Sequence, residues 1–236
     1  MRRWGWMLGG LIVWTVHFMG VYCILQWCWF LDRPMTRATV DIGAGITVPT
    51  YASGPSSHGW WAMVITLVVA GMVAALMGFS YVFLWSRQPA SWAPPPGLMS
   101  FAGVVAANAG AALLAWLACR SLRLARPRSA ALAALMMVVA AALIGAAWFV
   151  DLTAWLDSGL RPKVNTQGAT VYAFLSWQGL FAAIAALMGL YAVLRWLAGH
   201  VGADRPSTYD LIALFIVFSA GQGAFATLLT RLFPGG

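Results

Sequence analysis

Few residues in this sequence could carry chemistry. Its 236 positions hold three His, three Cys, six Asp and no Glu, beside 13 Arg and the single Lys163. A haem or metal centre needs imidazoles or thiolates paired at one depth on facing elements. Only His17 lies within a long apolar run; His58 precedes one and His200 falls between two. His17 is therefore expected to bond a carbonyl or a neighbouring subunit's group. Cys23, Cys28 and Cys119 sit in apolar runs, and the Cys23–Cys28 spacing suits neither a zinc pair nor a copper-thiolate loop. They read as small packing residues. No phosphate-binding loop, zinc-protease helix, nucleophile elbow or dinucleotide fingerprint occurs.

Polar groups inside apolar runs are the remaining candidates. A charge at the centre of a membrane span costs about 2.5–3.5 kcal/mol on insertion scales, so one found there marks a role. Asp151 comes late in such a run, a turn or two before Asp157 and Arg161. Asp210 opens another run, where a carboxylate suits a helix N-terminus. Structural roles are expected for both. Asn108, Gln178 and Gln222 are expected to make interhelical hydrogen bonds, each worth about 0.6 kcal/mol and at most about 1–2.

Composition dictates the elements that must hold these groups. Hydrophobic residues make up 62% of the chain and charged ones 8%, against roughly 25% charged in a soluble domain. The net charge of +8 punctuates apolar runs instead of gathering on one wet face, which excludes a nucleic-acid binder. Soluble enzymes and disordered tails fit no better. A span needs about 20 apolar residues, and six segments qualify: 4–30, 59–85, 99–122, 129–156, 169–198 and 208–233. The expected fold is an all-α integral membrane protein of about six transmembrane helices. The first run exceeds a signal peptide's apolar core. It and the following loop make an additional region over 1–50, and five helices form a bundle over 51–236. Val40 to Thr50 is Gly-rich and expected to hold no stable element, whereas Pro94–Pro95–Pro96 stiffens its loop.

Trp60, Trp61, Trp85, Trp92, Trp148, Trp155 and Trp196 fall near segment ends, where indole rings anchor at headgroups. Gly71 and Ala75, Gly103 and Ala107, Ala107 and Ala111, and Ala141 and Gly145 form small-xxx-small pairs for close helix approach. Basic residues concentrate on the cytoplasmic side of a membrane protein. The cluster from Arg120 to Arg128 thus favours an inside loop there and both termini outside, with eight basic residues inside against six.

The stretch from Tyr51 to Pro96 reads Tyr-Ala-Ser-Gly-Pro-Ser-Ser-His-Gly-Trp-Trp-Ala-Met-Val, then a helix, then Phe-Ser-Tyr-Val-Phe-Leu-Trp-Ser-Arg-Gln-Pro-Ala-Ser-Trp-Ala-Pro-Pro-Pro. A helix ending in an Arg-rich loop follows, then one ending Asp-Leu-Thr-Ala-Trp-Leu, then a Gly-Ala-Thr-Val-Tyr opening. Together these resemble the helical core of haem-copper oxidase (cytochrome c oxidase) subunit III, especially the form fused behind subunit I in some proteobacteria. Leu175-Ser-Trp-Gln-Gly-Leu is similar to that family's His-Gly-Leu-His segment, and Leu232-Phe233-Pro234 to the fused form's end. The likeness covers about 51–234. Departures are plain. The family's His pair is replaced by Gln178 and Phe181, its acidic residue is missing around Ala70–Gly71, and Ile216, Val217 and Phe218 stand near its Trp-His pair.

The resemblance implies a non-catalytic subunit of a respiratory terminal oxidase in the bacterial inner membrane, with no catalytic centre, haem or copper of its own. The implied partners are subunit I and subunit II, with haem and copper held by the partner subunit, and membrane phospholipid. Membership of a larger respiratory supercomplex stays open. Such a subunit packs on subunit I, binds lipid, and supports oxygen and proton delivery and the stability of the complex. The subunit I interface is expected on Gly71, Ala75 and Gly78, and headgroup contacts on Trp60, Trp61 and Arg87. The alternatives are an accessory subunit of a nitric oxide reductase, an oxidase assembly factor, or a small transporter using Asn108, Gln178 and Gln222.

Overall fold

The computed structural model describes residues 39–41, 47–49, 58–87, 89–124, 128–163, 165–201 and 206–233. The chain divides into two units, Met1–Tyr51 and Ala52–Gly236. The expected first span, 4–30, with His17, Cys23 and Cys28, lies outside the described residues. In the first unit, β1 (Thr39–Asp41) and β2 (Thr47–Pro49) pair antiparallel, with Val40 opposite Val48. The Gly-rich stretch therefore does hold an element, because β-branched Thr39, Val40, Thr47 and Val48 flank the glycines and suit extended backbone.

The second unit is all-helical. It contains α1 (His58–Arg87), α2 (Leu98–Arg123), α3 (Ser129–Asp157), α4 (Thr166–Leu197) and α5 (Ser207–Leu232). All five are long and apolar enough to cross a membrane. The shortest have 26 residues, so at 1.5 Å per residue they reach about 39 Å, beyond the roughly 30 Å hydrocarbon layer. This is a multi-pass membrane protein.

Local signals set the helix ends. Asn165 caps α4 by accepting the Gly168 N–H at 2.7 Å. Gly168 has to be glycine, since a Cβ there would run into the Arg161 carbonyl oxygen. At its other end, α4 stops in a Schellman turn. Gly199 takes φ 71°, its N–H donates to Trp196 O and the His200 N–H donates to Arg195 O. The loop after α1 folds back rather than hanging free. Trp92 is buried edge-on against Tyr81, and the Gln167 amide grips both backbone groups of Ala93, accepting from its N–H at 2.7 Å and donating to its carbonyl at 3.0 Å.

Packing follows side-chain size. α2 and α3 are joined by a short loop and share the most extensive helix pairing, and Ala111, Ala115 and Ala118 of α2 and Ala133, Ala140 and Ala141 of α3 are buried in the common core. Small side chains let the backbones approach where lipid gives no hydrophobic drive. α5 is the central element and packs on each of the other four helices. α1 lies against α4 and α5, with Val68, Met72, Leu76, Phe79 and Phe83 exposed along its outer face.

Candidate functional site

The polar side chains of the spans converge on one row of α5. Ser219, Gly223, Thr227 and Arg231 recur every four residues, so they line one face of that helix. Near the end of the row, Arg231 Nη2 meets Asp151 Oδ1 of α3 at 2.8 Å, and the Thr227 hydroxyl donates to Asp151 Oδ2 at 3.1 Å. Both charged side chains are nearly buried, at 8% and 11% exposure. The guanidinium lies between the rings of Phe101 and Trp155, 5.8 and 5.7 Å from their centroids, and reaches the Ser100 hydroxyl. Tyr81 of α1 donates to the carbonyl of Thr230, the residue before Arg231, so four helices meet at this ion pair. Asp151 has thus found Arg231 rather than its chain neighbour Arg161, which is exposed. A bare charge could not persist there, whereas a paired and hydrogen-bonded one can.

Deeper in the bundle, Gln178 of α4 donates to the Ser219 carbonyl at 3.2 Å and accepts from Gln222 Nε2 at 3.4 Å. Asn108 of α2 spends its amide N–H on Val104 O of its own helix, and its Oδ1 is buried without a partner. Gly223 brings these groups together: a Cβ there would sit 2.7 Å from Gln178 Nε2 and 3.0 Å from Asn108 Oδ1. Gly179 has a like role, because a Cβ would press on the Trp148 indole, whose N–H donates to Leu175 O at 2.9 Å. A small cavity of about 20 Å³ joins the two polar groups, bounded by Asn108, Asp151, Gln178 and Thr227 among apolar neighbours.

The three expected amides therefore lie close together, but only Gln178 and Gln222 bond between helices, whereas Asn108 bonds its own. Other expected residues fall differently. Gly71 and Gly78 face inward: Gly71 lies under the Phe218 ring, and Gly78 is buried against Phe225 and Leu229. Their small size serves the α1–α5 contact within the chain, so only Ala75, which is exposed, remains of the expected partner face. Gly103 and Gly145 meet nothing within 4 Å, whereas Ala141 packs on Gly189. Trp60 and Trp61 stack edge to face at the start of α1, and Arg87 lies over Phe83 at its other end. Trp92 and Trp155 are buried inside the bundle rather than placed at headgroups, for they wall the Tyr81 and Arg231 contacts. Asp210 pairs with exposed Arg123 at 2.8 Å, and the Cys119 thiol reaches the Tyr209 carbonyl. Among the described residues, no group of three or more His, Cys, Asp or Glu is placed to hold a metal ion.

Sequence reasoning missed Thr227, Gly223 and the role of Arg231, although their four-residue spacing was there to read. No known family model matches the chain, and no curated protein is similar enough to count as a relative.

Proposed function

We propose that this chain is a non-catalytic, subunit III-like component of a haem-copper terminal oxidase in a bacterial inner membrane. The observation that carries this reading is the peripheral seat of α1. The helix rests on α4 and α5 and leaves Val68, Met72, Leu76 and Phe79 facing outward around the small Ala75. A stripe with a small residue at its centre suits close packing by another membrane helix. The resemblance over 51–234 supports subunit I as the owner of that helix, and it supports lipid in the remaining grooves. The chain's buried polar groups hold its own helices together, as a supporting subunit requires.

The test is recovery of the tagged chain from native membranes in mild detergent, with a subunit inventory and a reduced-minus-oxidised spectrum. Stoichiometric recovery with a large subunit bearing haem and copper is the expected result, and Ala75→Trp is expected to lower that recovery severalfold. Haem without copper would move the chain to a nitric oxide reductase. Recovery without any haem subunit would overturn the reading in favour of an assembly factor or transporter.

A further inference from the structure

The cavity between α2, α3, α4 and α5 is bounded by chemistry as well as by shape. Asn108 is 2% exposed, and its Oδ1 has no hydrogen-bond partner. Its orientation is fixed from the other side of the amide. Nδ2 donates to Val104 O at 2.9 Å, and a reversed amide would set two acceptors against each other. Oδ1 consequently looks across Gly223, where the missing side chain keeps the space open. Asp151 and Thr227 line the same cavity. Apolar cavities of this size stay dry, whereas one with several polar partners binds water, and about 20 Å³ is room for one molecule.

We propose that this cavity is a binding site for a single water molecule. The water donates one hydrogen bond to Asn108 Oδ1 and its other to the Asp151 carboxylate, whose Oδ2 already accepts from the Thr227 hydroxyl. The ion pair of Arg231 and Asp151 is then linked through the water to Asn108, beside which lie Gln178 and Gln222. Gln222 and Arg231 are nine positions apart, so the polar groups occupy about 13.5 Å of α5, measured inward from its end. The inference concerns the chain by itself and does not rest on the oxidase reading.

Synchrotron hydroxyl-radical labelling of the purified protein tests it, because a bound water generates radicals where bulk water does not reach. Trp155 lines the cavity and is 1% exposed, whereas exposed Trp116 reports bulk solvent or detergent. The expected result is rapid oxidation of Trp155 in the wild type, falling severalfold in Asn108→Leu and in Thr227→Val while Trp116 is unchanged. No oxidation of Trp155 in the wild type, or equal oxidation in both variants, would overturn the proposal. A high-resolution density map of the wild type decides the matter even if both variants misfold. A peak within hydrogen-bond distance of Asn108 Oδ1 is expected, and its absence overturns the site. A peak that strengthens when rubidium replaces sodium would reveal a cation and overturn water as the occupant.

Discussion

Arg231 shows how one residue can fix several helices. Its charge is stabilised by Asp151, its flat faces by Phe101 and Trp155, and its two terminal nitrogens also reach Thr227 O and the Ser100 hydroxyl, while Nε is buried without a partner. A guanidinium can serve all of these at once, whereas an ammonium on a flexible stem cannot. Removing one partner of a buried pair leaves the other charge uncompensated, at a cost of about 3–5 kcal/mol, whereas replacing both by apolar groups is often near neutral. Asp151→Ala is therefore expected to lower the thermal unfolding midpoint in detergent sharply, followed by tryptophan fluorescence. The double variant Asp151→Leu/Arg231→Met should recover most of the loss, and Arg231→Lys should behave more like a deletion than a conservative change. Equal midpoints for the wild type and Asp151→Ala would mean that the pair holds nothing together. The row Ser219, Gly223, Thr227, Arg231 could be read from spacing alone. The partner Asp151 could not, because 80 positions separate it from Arg231 and only the helix packing brings them together.

The spans were legible because length and apolarity define them. The expected segments 59–85, 99–122, 129–156, 169–198 and 208–233 fall within a few residues of α1 to α5. Which face of each helix turns inward was not legible in the same way. In water the buried face is the apolar one, but lipid is as apolar as a protein core, so that contrast disappears. Small residues remain the cue, and in an Ala-rich chain small-xxx-small pairs arise on every face. This is why Gly78 is packed on Phe225 and Leu229 while Gly103 meets nothing. The two glycines make a controlled comparison. Gly78→Leu should force α1 from α5 and cost about 1–3 kcal/mol by overpacking. Gly103→Leu should be tolerated, with a small gain of roughly 0.5–1 kcal/mol from better helix propensity. Unfolding midpoints in one detergent would show the contrast, and matched losses at both sites would refute the assigned α1–α5 contact.

At the scale of the whole chain, the bundle has two unlike ends. Five spans in series bring Arg120, Arg123, Arg128 and Arg195 to one end, with Arg126 and Arg205 in the sequence of the same loops. The other end carries Arg87, Arg161, Lys163 and Arg231. By sequence the contest within this unit is six against four. The structure widens it, since Arg231 is drawn into the ion pair with Asp151 and no longer acts as a loop charge, which leaves three. Insertion follows the basic residues of short loops, with carboxylates counting little, so the salt bridge from Arg123 to Asp210 does not cancel the bias. The Arg-rich end should therefore be cytoplasmic, and α5 should deliver its C-terminal end to the outer face. Fluorescent-protein and alkaline-phosphatase fusions in a bacterial host read this directly. A fusion after Gly236 is expected to be dark as the fluorescent protein and active as the phosphatase, and one in the loop at Arg126 should give the reverse. The opposite pattern at both positions would invert the orientation. It would also place the buried pair of Asp151 and Arg231, and the polar groups leading inward from it, at the cytoplasmic face.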